Sequence, residues 1–118
     1  MKQSTTPLPE LTLAATAFAA LGSEHRLAIL RRLVRAGPNG LPMGTLGEGV
    51  GVAGSVLTHH LKQLVSAGLV AQRRDGRRIL CSVDHRAVEA LSRFLISECC
   101  ADLGGPSTPH ERTDDIHG

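Results

Sequence analysis

Between Gly54 and Val70 the apolar residues Leu57, Leu61, Leu64 and Val65 recur at i, i+4, i+7 and i+8. That is the period of a helix with one buried stripe. The opposite face carries Ser55, Thr58, His59 and Lys62, which are hydroxyls, an imidazole and an ammonium. Ala67-Gly68 closes the helix, with glycine available for a left-handed cap. Leu69 to Val83 follows directly as two short strand-like runs joined at Asp75-Gly76, a hairpin signal. Arg73, Arg74, Arg77 and Arg78 crowd its tip. Few architectures accommodate a helix with a polar outer face followed at once by an arginine-tipped hairpin.

The outline is that of a winged helix-turn-helix. The helix would enter a major groove, where Ser55, Thr58, His59 and Lys62 meet base edges or phosphates. The hairpin would ride on the backbone, with Arg73, Arg74, Arg77 and Arg78 gripping phosphates. Each half alone has a plainer reading, as a solvated helix face or a solubilising turn. Their order, with five Lys/Arg and one Asp over residues 54–78, favours binding to duplex DNA.

Composition narrows the partner. The net charge is only +2, but residues 98–118 hold Glu98, Asp102, Glu111, Asp114 and Asp115 against Arg112 alone. The two regions therefore prefer opposite partners. Phe18 and Phe94 are the only aromatic residues apart from histidine. Binders of single-stranded nucleic acid lean on aromatic stacking platforms, so that class is disfavoured. There is no apolar run of membrane-spanning length and no signal-peptide pattern, so a cytoplasmic location without membrane association is expected.

The flanking segments complete one small domain of 118 residues. Residues 1–8 are polar and expected to be flexible. A first helix over Pro9–Leu21 places Leu11, Ala14, Ala15, Phe18, Ala19 and Leu21 on one broad stripe, a candidate dimer surface. Ser23 is the expected N-cap of a second helix running to about Ala36, with Glu24 in its first turn. Its core face is Leu27, Leu30, Leu33 and Val34, and Arg26, Arg31, Arg32 and Arg35 lie outside or at the edge. Pro42 suits the first position of a third, weak helix containing Gly44, Gly47 and Gly49. Asp84 caps a last helix over about His85–Asp102, with Val88, Leu91, Leu95 and Cys99 on one stripe. The expected fold is mostly α, five helices plus a two-stranded wing over residues 9–102, with a disordered acidic tail over 103–118.

Leu21-Gly22-Ser23-Glu24-His25-Arg26-Leu27-Ala28-Ile29-Leu30, Thr58-His59-His60-Leu61-Lys62-Gln63-Leu64 and Ala67-Gly68-Leu69-Val70 together resemble the ArsR family of bacterial metal- and metalloid-responsive repressors. The resemblance covers roughly residues 10–102. It implies a homodimer through the first and last helices, a palindromic double-stranded operator, and release when an inducer binds.

Three cysteines, Cys81, Cys99 and Cys100, could admit that inducer. An odd count in a cytoplasmic chain argues against a disulfide framework. Cys81 lies in the hairpin's second strand and reads as a packing residue. Cys99 and Cys100 are adjacent near the end of the last helix, where a frayed turn would let both sulfurs face one soft ion. Thiolates select such centres. Trivalent arsenic or antimony, inorganic or methylated, is the expected inducer, and no organic cofactor is implied. Water, a small thiol or His110 would complete an inorganic site. A thiol-redox or persulfide switch and simple packing at a dimer seam are the alternatives.

The family comparison qualifies the site. The Cys-Val-Cys motif of some members is absent from Leu46-Gly47-Glu48-Gly49-Val50, whereas a terminal Cys-Cys pair is matched by Cys99-Cys100. Zinc-sensing members use Asp and His at the start of the last helix, as in Asp84-His85, but their second ligand pair would fall near Ser97 and Cys100, which does not match. An enzyme with vicinal thiols lacks a Cys-x-x-Cys arrangement and a visible His–carboxylate pocket, so no catalysis is expected. A winged helix that binds only protein remains a different class, separable by salt-dependent retention on duplex DNA.

Overall fold

In a computed structural model, which describes residues 10–103, helices α1 (Leu11–Ala20), α2 (Glu24–Ala36), α3 (Met43–Val50), α4 (Gly54–Ser66) and α5 (His85–Glu98) surround a small sheet. Its strands are β1 (Leu41–Pro42), β2 (Val70–Asp75) and β3 (Arg78–Val83), in the antiparallel order β1-β3-β2. The expected flexible segment 1–8, His110 and all of the acidic tail beyond Leu103 lie outside the described residues. No described helix is long and apolar enough to cross a membrane.

Local chemistry sets the helix ends. Ser23 Oγ accepts from Arg26 N at 3.3 Å, and Asp84 Oδ1 accepts from Ala87 N at 3.1 Å. Each satisfies an amide that the first helical turn leaves unpaired. At the end of α4, Gly68 takes φ 79°. Gly68 N donates to Val65 O at 2.9 Å, and Leu69 N to Leu64 O at 3.0 Å. This pair of bonds is the Schellman motif, accompanied by burial of both Leu64 and Leu69. Asp84 N then donates to Leu69 O at 2.8 Å, tying the start of α5 to the end of α4.

The core joins all five helices to the base of the sheet. Ile29, Leu33, Leu46, Leu61, Leu64 and Leu69 are fully buried, each contributing about 1.5–3 kcal/mol relative to exposure. Several expected stripes are shifted. On α1 the buried residues are Ala14, Ala17 and Ala20, while Leu11, Ala15, Phe18 and Ala19 are exposed. Three alanines let α1 approach its neighbours closely, so the larger side chains turn outward. On α2, Ile29 joins Leu30 and Leu33 inside, and Leu27 and Val34 point out. Val65 of α4 is also partly outside, at 38% exposure.

Two boundaries differ from expectation. Pro42 is the N-cap of α3 rather than its first residue, and it pairs with Leu80 in the short strand β1. The wing is therefore part of a three-stranded sheet, with proline on an edge strand where its missing N–H costs no ladder bond. Helix α5 ends at Glu98, so Cys99 and Cys100 lie in the turn beyond it. Leu103, expected in the tail, belongs to a 3₁₀ turn over Ala101–Leu103.

Candidate nucleic-acid interface and thiol turn

Burial of Leu57, Leu61 and Leu64 fixes the rotation of α4 about its axis. Ser55, Thr58, His59 and Lys62 are consequently all exposed. Their spacing of i, i+3, i+4 and i+7 places them on one face. Thr58 Oγ1 donates back to Gly54 O at 3.3 Å, and its oxygen retains acceptor capacity.

The wing is less uniform than its sequence. Pairing of Asp75 with Arg78 leaves Gly76-Arg77 as a two-residue connection, with Gly76 at φ 65°. Arg73 stands opposite Leu80, and Arg74 opposite Ile79. Successive strand residues alternate faces, so Arg73 and Arg74 project on opposite sides. Arg78 Nη2 pairs with Asp75 Oδ2 at 3.0 Å. The four expected phosphate grips are thus split between two faces and the tip, and one is bound to a carboxylate.

At the end of α5, Cys99 N donates to Ile96 O at 3.0 Å and the backbone leaves the helix. Cys100 takes φ 62°, and Leu103 N donates to Cys100 O at 3.0 Å. The turn brings Sγ of Cys99 and Sγ of Cys100 to 3.6 Å, both exposed. Hydrogen bonding to Cys99, then the charge of Cys99, then slight desolvation push the Cys100 thiol above its ordinary pKa. Cys81 is the opposite case. It is fully buried opposite Gln72, whose Nε2 donates to Sγ at 3.7 Å. Burial raises its pKa, and the Gln72 bond opposes that only in part.

Among the described residues no group of three or more His, Cys, Asp or Glu side chains is placed to hold a metal ion. Asp84 is occupied as the cap of α5, and His85 is exposed beside it. Where a zinc-sensing member would place its second ligand pair, this chain has Ser97 and Cys100.

Comparison with known proteins fits this architecture. A family model described as a helix-turn-helix domain matches residues 21–73. The HTH-type transcriptional regulator YgaV of Escherichia coli is 33% identical over 87 residues, covering 74% of this chain and 86% of that protein. An ArsR-like transcriptional regulator from Rhodococcus superposes with TM-score 0.66 at 27% identity, covering 78% of this chain and 83% of that one. The homodimeric winged helix-turn-helix DNA-binding domain of Mb0332 from Mycobacterium bovis, described as a possible ArsR-family regulator, gives TM-score 0.59 at 25% identity, covering 78% and 81%. The chain belongs to the ArsR family of winged helix-turn-helix transcriptional regulators. Two other curated regulators match at 41% identity, but the chain spans only 62% and 55% of their lengths.

Within this ArsR scaffold, one cluster escapes the sequence reading. Arg26, assigned there to the outside or edge of α2, is partly buried and bonded to both neighbouring helices. His60, beside the exposed row of α4 and assigned to neither side of that helix, is its partner. The available signal is positional: His60 falls between Leu57 and Leu61 on the buried edge of α4. The identity of its partner, 34 residues away, has no local signature.

Proposed function

We propose that the chain is a homodimeric transcriptional repressor. In this reading it binds a palindromic operator through α4 and the wing, in the cytoplasm, and trivalent arsenic or antimony, inorganic or methylated, releases it at Cys99-Cys100. The DNA half is supported by family membership and by the exposed row Ser55, Thr58, His59 and Lys62. Arg73, Arg74, Arg77 and Arg78 would supply phosphate contacts from the wing. Dimerisation through α1 and α5 is supported by Leu11, Leu13, Leu95 and Ile96, which are 73%, 60%, 56% and 69% exposed. An apolar cleft of about 180 Å³, lined in part by Phe18, Leu91 and Leu95, lies between the same helices. The homodimeric Mb0332 domain supports the same assembly by analogy.

The observation that carries the inducer is the 3.6 Å separation of two exposed thiols. At the ~2.3 Å bond length of a zinc thiolate, that separation is bridged at an angle of about 100°. That spacing supports a single soft centre held by both sulfurs. Two ligands suffice for a monomethylated arsenical, and an inorganic ion would take a third from water, a small thiol or His110. The pair begins three residues beyond the exposed Ile96 of α5. Tightening that end would shift the dimer seam and the spacing of the two α4 helices. Allosteric coupling of usual size, about 1–3 kcal/mol, lowers operator affinity roughly 5–150-fold.

The test is a titration of reduced protein on an operator duplex with arsenite, methylarsenite, zinc and a peroxide. Release by the arsenicals, abolished in Cys99→Ser/Cys100→Ser while DNA binding persists, is the expected result. Release by peroxide alone would replace the metalloid with thiol oxidation. A double variant that still responds to arsenicals would remove the pair from the sensor.

A further inference from the structure

Arg26, in the first turn of α2, holds two other helices. Its Nε donates to the carbonyl of Ala20 at the end of α1, and its Nη1 stands 3.4 Å from Nδ1 of His60 in α4. A guanidinium has donors and no acceptor. In this contact Nδ1 of His60 is therefore the unprotonated acceptor, and the ring proton sits on Nε2. The His25 ring lies 5.4 Å from that of His60, and the His59 ring 6.1 Å away. His59 belongs to the row expected to meet DNA, so the Arg26 contact abuts the reading face directly.

We propose that Arg26 and His60 are positioning residues for the reading helix, and that protonation of His60 weakens specific DNA binding by breaking their contact. This rests on the reading of α4 as the DNA-contacting helix. A protonated His60 has two N–H donors and no acceptor. It would place a second cation against Arg26 and cut the only side-chain hydrogen bond that joins α2 to α4 among the described residues. The charged surroundings give no relief. From α2 His60 faces Arg26 and His25, and from its own helix His59. Helix α1 has no titratable side chain between Leu11 and Ala20 and contributes the Ala20 carbonyl through Arg26. Desolvation, then Arg26, His25 and His59, hold the His60 pKa below its ordinary value of 6.5. His60 is therefore neutral at pH 7.5 and gains its proton on acidification.

Acid should act in opposite directions on two kinds of binding. Every proton gained by a histidine adds positive charge, which tightens sequence-independent attraction to phosphates. Loss of the Arg26–His60 contact misplaces Ser55, Thr58, His59 and Lys62 together, which weakens sequence-dependent contacts.

The experiment uses the full chain and two duplexes of equal length, one selected from a random pool at pH 7.5 and one of scrambled sequence. Binding is followed by fluorescence anisotropy from pH 7.5 to 5.5 at constant ionic strength. The wild type should lose affinity for the selected duplex, by less than tenfold at pH 5.5 because the His60 pKa lies below 6.5, while scrambled binding holds or rises. His60→Asn supplies an amide oxygen near the position of Nδ1 and cannot titrate. It should keep wild-type affinity at pH 7.5 and lose the acid step. Arg26→Gln should bind the selected duplex weakly at pH 7.5 and show little further loss in acid. Circular dichroism reports folding, and His60→Gln serves in place of His60→Asn if the latter is unfolded. An acid step unchanged in the His60 variant, or wild-type binding to the selected duplex that is flat or rises in acid, overturns the inference and leaves DNA recognition standing. Failure to bind either duplex at pH 7.5 overturns both.

Discussion

At the junction of α3 and α4, a Cβ on Gly47 would lie 2.4 Å from the carbonyl oxygen of Val52 and 3.0 Å from Cδ2 of Leu57. At the end of α5, by contrast, Cys99 and Cys100 project into solvent from a turn. The first region has close packing that fixes where the proposed base-reading side chains point. The second has two exposed thiols at the end of a helix. A reading surface needs rigid placement, because misplacing one contact misplaces the row. A site that closes on an ion can be assembled by the ion itself. The contrast predicts that substitutions at the junction act through stability, whereas those at the turn act through chemistry.

The largest expected effect is at Gly47. Gly47→Ala drives a methyl into backbone that cannot withdraw without opening the turn between α3 and α4. The cost should reach about 3 kcal/mol, the upper part of the range for overpacking. Urea denaturation should show a large fall in midpoint. A loss below about 1 kcal/mol would mean that the junction is looser than its geometry, and the contrast with α5 would fail. Cys99→Ala is the matched control and should move the midpoint little, since exposed substitutions usually stay within about 0.5 kcal/mol.

The cysteines offer the next sharpest test. Cys81 is buried, with its thiol pKa raised by that burial. Iodoacetamide at pH 7.5 should modify the Cys99-Cys100 region at least ~100-fold faster than Cys81, because a buried thiol must wait for local opening. Mass spectrometry of digests reads both rates. Equal rates would put Cys81 on a mobile wing and admit it to the proposed inducer site.

The packing of α2 against α4 carries its own pH dependence through the Arg26–His60 contact. Because the folded His60 pKa lies below the unfolded value near 6.5, the unfolded chain binds more protons in that range. The His60 contribution to stability is complete above that value and is lost as pH falls through it toward the lowered folded pKa. Thermal melting should drop on acidification from pH 7.5 to 5.5 more in the wild type than in His60→Asn. An identical drop in both would assign the loss to other groups.

What could be read from the sequence follows the same division. Ser23, Gly68 and Asp84 were legible as caps because a capping side chain or glycine acts within a few residues. The helix-turn-helix and wing were legible because Leu57, Leu61 and Leu64, followed by Asp75-Gly76, set period and turn locally. The buried set of helix α1 (Ala14, Ala17 and Ala20) was not legible, because its largest side chains face outward, which reverses the usual amphipathic signal. Leu41-Pro42 is too short to show alternation. The early end of α5 had no marker, since a left-handed residue is ordinarily announced by glycine or asparagine. The link between Arg26 and His60 depends on tertiary placement, so local patterning could not supply it. The α4 row was legible as exposed, but the split of the wing arginines depended on strand register.

That split gives a smaller prediction. Arg73→Ala should lower the salt slope of duplex binding by about 0.9 per protomer if each copy neutralises one phosphate. Arg78→Ala should do less, because Asp75 already holds its guanidinium at 3.0 Å. Asp75→Asn should then steepen the slope by releasing Arg78, at a stability cost of no more than about 1 kcal/mol for an exposed pair. Equal slopes for the two arginine variants would show that Asp75 yields Arg78 to DNA without competition.

The smallest effect tests the turn itself. Cys100 is the only non-glycine residue with positive φ among the described residues, at 62°. An L-residue there is disfavoured by roughly 1–2 kcal/mol, and glycine is not, although glycine loses more chain entropy on folding. Cys100→Gly should therefore leave the fold unharmed or stabilise it by up to about 1 kcal/mol, while removing one of the two sulfurs. Calorimetry gives the first quantity, and retention of a methylarsenite adduct gives the second. Gain of stability with loss of the adduct means that the strained turn persists for its chemistry, because it sets the thiols side by side. A clear loss of stability would make the turn a structural terminus of α5 and weaken the case that the sulfur pair is there to bind.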